Sequence, residues 1–212
     1  GQLADSAAMV SALNSLQADR SAVSQLQQVP SLRQYLDENR SNISALEGTT
    51  GFAPDGVNQL DLVDNLFQSI RSGIDVTPEL QPSLGNLHVP LAKLSLLEPQ
   101  FFLDRNHPAR GVVDKLTQLS SSANFPNRAL ENRVNKVIDN IVDNYENDST
   151  VFQTAHDDLD KLVRQQETAR ERNVERVVKA QDDQEKLHQA QKAVDKILRT
   201  RIRPPNAPQA MV

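Results

Sequence analysis

The chain has 212 residues, enough for one or two domains with a core of their own, and it carries a net charge of −5 with 38% apolar and only 4% aromatic residues. It contains no cysteine, which excludes disulfides, zinc–thiolate sites, iron–sulfur clusters and cysteine nucleophiles, and no apolar run approaches the ~18 residues that span a bilayer. Trp is absent, Gly is scarce and Asp55-Gly56 is the lone hairpin-type pair, so a sandwich or barrel is not expected. The expected fold class is all-α: a multi-helix bundle of about seven or eight helices with a long, charged, protruding C-terminal helix.

Residues 3–28 are rich in Ala, Ser and Gln, with Met9, Leu13, Leu16 and Val23 at helical spacing. Pro30 and Ser31 restart the chain, and Leu32, Leu36, Ile43 and Leu46 predict a second amphipathic helix that pairs with the first. Glu47 to Val57 holds three glycines and a proline, the pattern of a loop or domain boundary. Asn58 is the expected cap of the next helix, whose face is Leu62, Val63, Leu66, Phe67 and Ile70 and whose end is Gly73. Thr77-Pro78 predicts another start, and a leucine stripe then runs to Leu97. Pro82 and Pro90 lie inside that stripe and predict a kink or split near His88.

The segment around Leu91 to Leu97 is apolar on most sides and belongs in the core, and Pro99 stops it. Pro108 opens the next helix, the Ser120–Asn127 stretch is a loop, and Leu130 to Tyr145 forms the cleanest amphipathic pattern of the chain. From Thr150 to Arg203 there is neither Pro nor Gly. A capping box at Thr150 and Gln153 would open one helix of about 50 residues, about 75 Å long at 1.5 Å per residue. Its centre, Arg164 to Lys186, is charged, and acid-first pairs such as Asp160–Arg164, Glu175–Lys179 and Asp182–Lys186 each add about 0.2–0.5 kcal/mol. The expected organisation is an N-terminal helical pair (1–50), a helical core (51–148), a long charged helix (149–203) and a linker tail (204–212).

Charge is unevenly spread. Residues 1–150 hold 11 basic and 18 acidic residues, whereas 151–212 hold 12 basic and 10 acidic. Lys196, Arg199, Arg201 and Arg203 form a terminal basic cluster, but the overall bias is too weak to expect a nucleic-acid partner.

The segments Asp61-Leu62-Val63 through Phe67, Val89-Pro90-Leu91 with Lys93, Leu97-x-Pro99-x-Phe101-Phe102, and His107-Pro108-Ala109-Arg110 stand out as motifs. Together they resemble one large proteobacterial family of unknown function, often mislabelled thymidine phosphorylase. The resemblance covers residues 58–200 and does not extend to 1–57. Some members carry a C-terminal PilZ domain, a cyclic di-GMP sensor. The resemblance therefore implies a fragment of a larger cytoplasmic bacterial regulator, possessing the helical middle rather than the sensor.

The one place where aromatic, basic and titratable side chains converge is the Phe101-Phe102 to Arg110 stretch. Arg105, His107 and Arg110 would form an anion site at a helix start, where unpaired N–H groups and the dipole favour negative charge. Read structurally, His107 or Asn106 caps the helix, and Arg110 pairs with Asp104 or Asp114 to hold the turn. Glu98 and Asp104 are the only acid and base candidates nearby. No nucleophile motif, phosphate loop or histidine pair at metal-ligand spacing is present, so no cofactor, no metal and no enzyme activity are expected. Arg172/Arg176 and Arg199/Arg203 match only half of the PilZ signature.

The function expected is a non-enzymatic protein-interaction or scaffold module, in a cyclic di-GMP-linked setting if the resemblance holds. The partner-binding candidates are Arg164, Arg170, Arg172, Arg176, Lys179, Lys196, Arg199, Arg201 and Arg203, and the long helix allows a homodimer. The alternative is a small-ligand or enzymatic domain using Arg105, His107 and Arg110. A further alternative is nucleic-acid binding through the terminal basic cluster. No membrane insertion is expected.

Overall fold

The computed structural model describes residues 1–29, 31–73 and 75–202, and the expected tail at 204–212 lies outside the described residues. The chain divides into two compact units, 1–163 and 164–212. The first holds a multi-helix core. The second consists, among the described residues, of the remainder of one long helix.

The chain opens with a strand, β1 (Gln2–Ala4), which pairs in parallel with β2 (Thr49–Phe52) through Leu3 opposite Gly51 and Ala4 opposite Phe52. The all-α class stands, but this small sheet escapes periodicity because its partners are short and far apart in sequence. Gly48, at φ +75°, makes the left-handed turn that aims the chain into β2. The Gly-rich stretch therefore joins the N-terminal segment to the core.

Helix α1 (Ser6–Ala18) starts at Asp5, whose carboxylate accepts from the Ala8 N–H, and buries Met9, Ala12, Leu13 and Leu16. The single helix expected over residues 3–28 is broken at Asp19. That residue ends α1 and caps α2 (Arg20–Leu26) by accepting from the Ser21 and Ala22 N–H groups. Helix α3 (Leu32–Glu38) stops earlier than its apolar pattern, and Ile43 and Leu46 reach the core from short 3₁₀ turns.

Helix α4 (Pro54–Ser72) begins four residues before Asn58, with Pro54 in its first turn. A side chain on Gly56 would overlap the Met9 sulfur, so this glycine sets how closely α4 approaches α1. The stripe expected to open at Pro78 becomes α5 (Gln81–Gly85) and α6 (His88–Leu97), split at Asn86–Leu87. Pro82 and Pro90 each sit in a first helical turn, where a missing N–H costs nothing.

In α6, every residue from His88 to Leu96 is buried, and this central helix packs against both α1 and α4. Helix α7 (Pro108–Leu119) turns Val112, Leu116 and Leu119 inward. Helix α8 (Arg128–Asn144) starts at Asn127, whose side chain accepts from the Leu130 N–H, and buries Leu130, Val134, Val137, Ile138 and Ile141.

Helix α9 (Thr150–Ile202) contributes Phe152, Ala155, Leu159, Leu162 and Val163 to the core. Its expected capping box does not form. The Thr150 N–H goes to Asp148, and the Gln153 amide reaches forward to Asp157. From Glu167 to Thr200 every residue is exposed.

Candidate functional site

The turn from Glu98 to Arg110 is built by a short 3₁₀ segment, Pro99–Phe102, followed by the start of α7. Phe101 is buried and meets Phe102 and His107 edge-on, with ring centroids 4.7 and 5.4 Å apart. His107 is the cap of α7: its Nδ1 accepts from the Ala109 N–H at 3.1 Å, and its Nε2 lies 3.4 Å from Glu98 Oε1. Arg110 donates to the Phe102 carbonyl at 3.1 Å, not to Asp104 or Asp114 as the sequence suggests. Asp104 instead accepts from the Asn106 N–H, closing the turn.

Arg105 is exposed on that turn. Each of the three residues expected to form an anion site has its own surroundings in this turn. His107 is spent on a helix cap, Arg110 on a carbonyl, and none of the three lines the cavities described below. No group of three or more His, Asp or Glu able to hold a metal occurs among the described residues.

A polar site that the pattern analysis gave no role lies elsewhere, at the C-terminal end of α8. The last carbonyls of a helix lack intrahelical partners. Here the Gln17 amide donates to the Val142 and Tyr145 carbonyls at 2.6 and 2.9 Å. Lys93 Nζ donates to the Tyr145 carbonyl and to Gln17 Oε1, both at 2.9 Å, and stands 4.6 Å from the centre of the Tyr145 ring.

Lys93 is only 1% exposed, although it comes from the apolar run of α6. Burial pulls its ammonium down to about 8, against the opposing pull of the Glu146 charge. Burial, with a smaller contribution from Glu98, pushes the Tyr145 phenol well above its usual value. The arrangement is a buried cation on the negative end of a helix dipole, tying α1, α6 and α8 together.

Beside this knot opens a cleft of about 820 Å³, lined by Asn14, Arg20, Asp139, Asp143 and Asn147 as well as Lys93. Its charges are mixed, and Arg20 and Asp143 stand 3.9 Å apart in a well-exposed pair. A lysine inside an otherwise apolar helical run was the sequence signal for this site.

The family model for the second domain of DUF1631, a protein of unknown function, matches residues 3–148. The chain belongs to the DUF1631 family. The match starts 55 residues before the resemblance read from motifs, so the family also takes in the N-terminal helices that the motifs left out. The physical reason is visible in the fold: α1 packs on α6, and Gln17 of α1 completes the Lys93 knot. No curated protein and no solved structure matches the chain.

The motif residues of this DUF1631 domain are chiefly core. Val63, Phe67, Val89, Leu91, Lys93, Phe101 and Ala109 are all buried. Their burial makes them part of the packing of the bundle. No described helix is long and apolar enough to cross a membrane.

Of the partner-binding candidates on α9, Arg172, Arg176, Lys179, Lys196 and Arg199 are exposed, as are Arg164 and Arg170, which already interact with neighbouring groups. Arg201 is helical in backbone, and Arg203 lies outside the described residues. Asp182 and Lys186 close the expected i,i+4 pair at 3.1 Å.

Proposed function

We propose that this chain is a non-enzymatic helical interaction module within a larger cytoplasmic bacterial protein, and that α9 beyond Val163 is its docking surface for another α-helix. The observation that carries this reading is an unbroken exposed run, Glu167 to Thr200, that includes seven large apolar side chains. Val174, Val177, Val178, Leu187, Val194, Ile197 and Leu198 are each 48–69% exposed. Helices in proteins owe most of their stability to tertiary packing, and contiguous exposed apolar surface marks an interaction site.

Leu187, Ala190, Val194 and Ile197 recur at steps of 3, 4 and 3, the spacing of a seam that meets a second helix. The charged stretch before Lys186 does not sustain that repeat, so the seam is short and the exposed cations Arg172, Arg176 and Lys179 flank it. Burying one Leu, Ile or Val side chain contributes about 1.5–3 kcal/mol, so the seam supplies association energy that the charges alone do not. A place in cyclic di-GMP-linked signalling rests on the resemblance alone, which implies a PilZ domain in some members of the family.

The test is a photo-crosslinker at Leu187 in the full-length native protein. A discrete cross-linked species, either a dimer of this chain or one helical partner, is expected, and the paired substitution Val194→Glu and Ile197→Glu removes it. A diffuse adduct pattern, or a discrete species that survives both substitutions, overturns the reading.

A further inference from the structure

Away from the exposed helix and the Lys93 knot, α4 and α6 bury a carboxylate and an imidazole together. Asp64 and His88 are 7% and 3% exposed, and His88 Nε2 lies 2.7 Å from Asp64 Oδ1. Asp64 also accepts from the Leu32 N–H at 2.8 Å and the Arg33 N–H at 3.4 Å, so it caps α3 as well. The Phe67 ring lies parallel to the His88 imidazole, with centroids 4.5 Å apart.

The imidazole is thus fixed in position by a carboxylate at one edge and an aromatic ring on one face. Asp64 claims Nε2, and Nδ1 is the ring nitrogen that this carboxylate does not engage. A buried ring whose orientation is dictated from behind is the arrangement by which proteins present the opposite nitrogen to a ligand.

His88 lines a cavity of about 260 Å³. Leu26, Phe67, Ile70 and Leu84 supply apolar walls, with the Pro78 and Pro82 rings. The Gln27 amide holds one wall closed by donating to the Pro82 carbonyl and to Asn86. Arg71 also lines this space, and no carboxylate among the described residues does. The Lys93 cleft, by contrast, has Asp139, Asp143 and Glu146 in its lining. The smaller cavity is therefore apolar in body and positive in its ionic lining.

We infer that this cavity binds a small carboxylic acid with an apolar body. The hydrocarbon part would fill the space between Phe67, Ile70 and Leu84. The carboxyl group would meet the Arg71 guanidinium and His88 Nδ1. Nδ1 can accept from a protonated carboxyl group, and the Arg71 guanidinium donates to an ionised one. The volume lies just below the ~300–1,000 Å³ of sites for drug-sized molecules, which limits the occupant to a fragment-sized acid.

The probe is octanoate, with octanamide as its uncharged counterpart, titrated into the whole chain and followed by NMR. Octanoate is expected to shift the His88 ring and the Leu84 and Gly85 amides saturably. Loss of the charge-assisted contact should weaken binding about tenfold, both for octanamide and for octanoate on Arg71→Gln. Arg71 is exposed, so its substitution leaves the fold intact, which amide shifts remote from the cavity will confirm. Absence of saturable shifts overturns the inference. So does equal binding of octanamide, undiminished binding by Arg71→Gln, or shifts confined to the exposed helix.

Discussion

Lys93→Ala is expected to lower the stability of the chain by about 3–5 kcal/mol in chemical denaturation, because it opens a core cavity and at once removes one of the two side-chain donors to the Tyr145 carbonyl. Lys93→Met separates the two effects. It keeps the volume and removes only the donor, so its cost should be about 1–3 kcal/mol. If Met proves as costly as Ala, the ammonium is the whole effect and packing contributes nothing. If both substitutions are neutral, the knot between Gln17, Lys93 and the Tyr145 carbonyl does not hold α8 in place.

The same residue makes stability depend on alkaline pH, with a definite sign. Folding pulls Lys93 from 10.5 down to about 8, so between those values the unfolded chain binds the extra proton. Stability should therefore rise with pH across roughly pH 8 to 10, by at most about 3 kcal/mol at 1.36 kcal/mol per unit. Tyr145 acts in the opposite direction above its ordinary value of 10.0, since its phenol is harder to ionise when folded. The rise should consequently flatten and reverse beyond about pH 10. Denaturation midpoints measured from pH 7 to 11 will show the hump for the native sequence and lose its rising limb in Lys93→Met.

Asp64→Ala is the second large effect, at about 3–5 kcal/mol, because one carboxylate serves three buried or half-buried donors. Its removal leaves the Leu32 and Arg33 N–H groups at the start of α3 without their acceptor and the His88 Nε2 unpaired in one step, with only Ser31 still capping that helix. Asp64→Asn keeps the shape and one acceptor oxygen, so it should cost less than the Ala variant. Thermal unfolding of the two side by side checks this, and equal losses would show that charge, not hydrogen-bond geometry, anchors α3 to α4 and α6.

Much of the helical architecture follows from local pattern. The faces of α4, α7 and α8 are strong 3.6-residue repeats, and Pro82, Pro90 and Pro108 fall in first turns where the ring does no harm. The uninterrupted run after Thr150 forms one helix for the same reason: nothing in it breaks the backbone pattern. The turn at His107 was also legible as a helix start, and its side chain does cap α7.

What the sequence concealed are the features made by residues far apart along the chain. The pairing of β1 with β2 depends on two short segments 47 positions apart, which no period can show. Arg110 had acidic neighbours at the right spacing and chose a carbonyl instead, because the buried Phe101–Phe102 turn offers an acceptor that would otherwise be unpaired. The break at Asp19 reflects a side chain that competes with the backbone for its own N–H groups.

The sequence alone determined the helical class, the extent of the charged C-terminal helix and the burial of the leucine-rich α6, because local spacing and the absence of helix breakers are properties of adjacent residues. Only the tertiary structure decided that Lys93 belongs to the α8 terminus, that Asp64 serves α3 and His88 together, and that Arg110 meets a backbone carbonyl. A buried polar group must find its partner wherever the packed fold brings one within about 3 Å, and that partner is set by the meeting of helices distant in sequence.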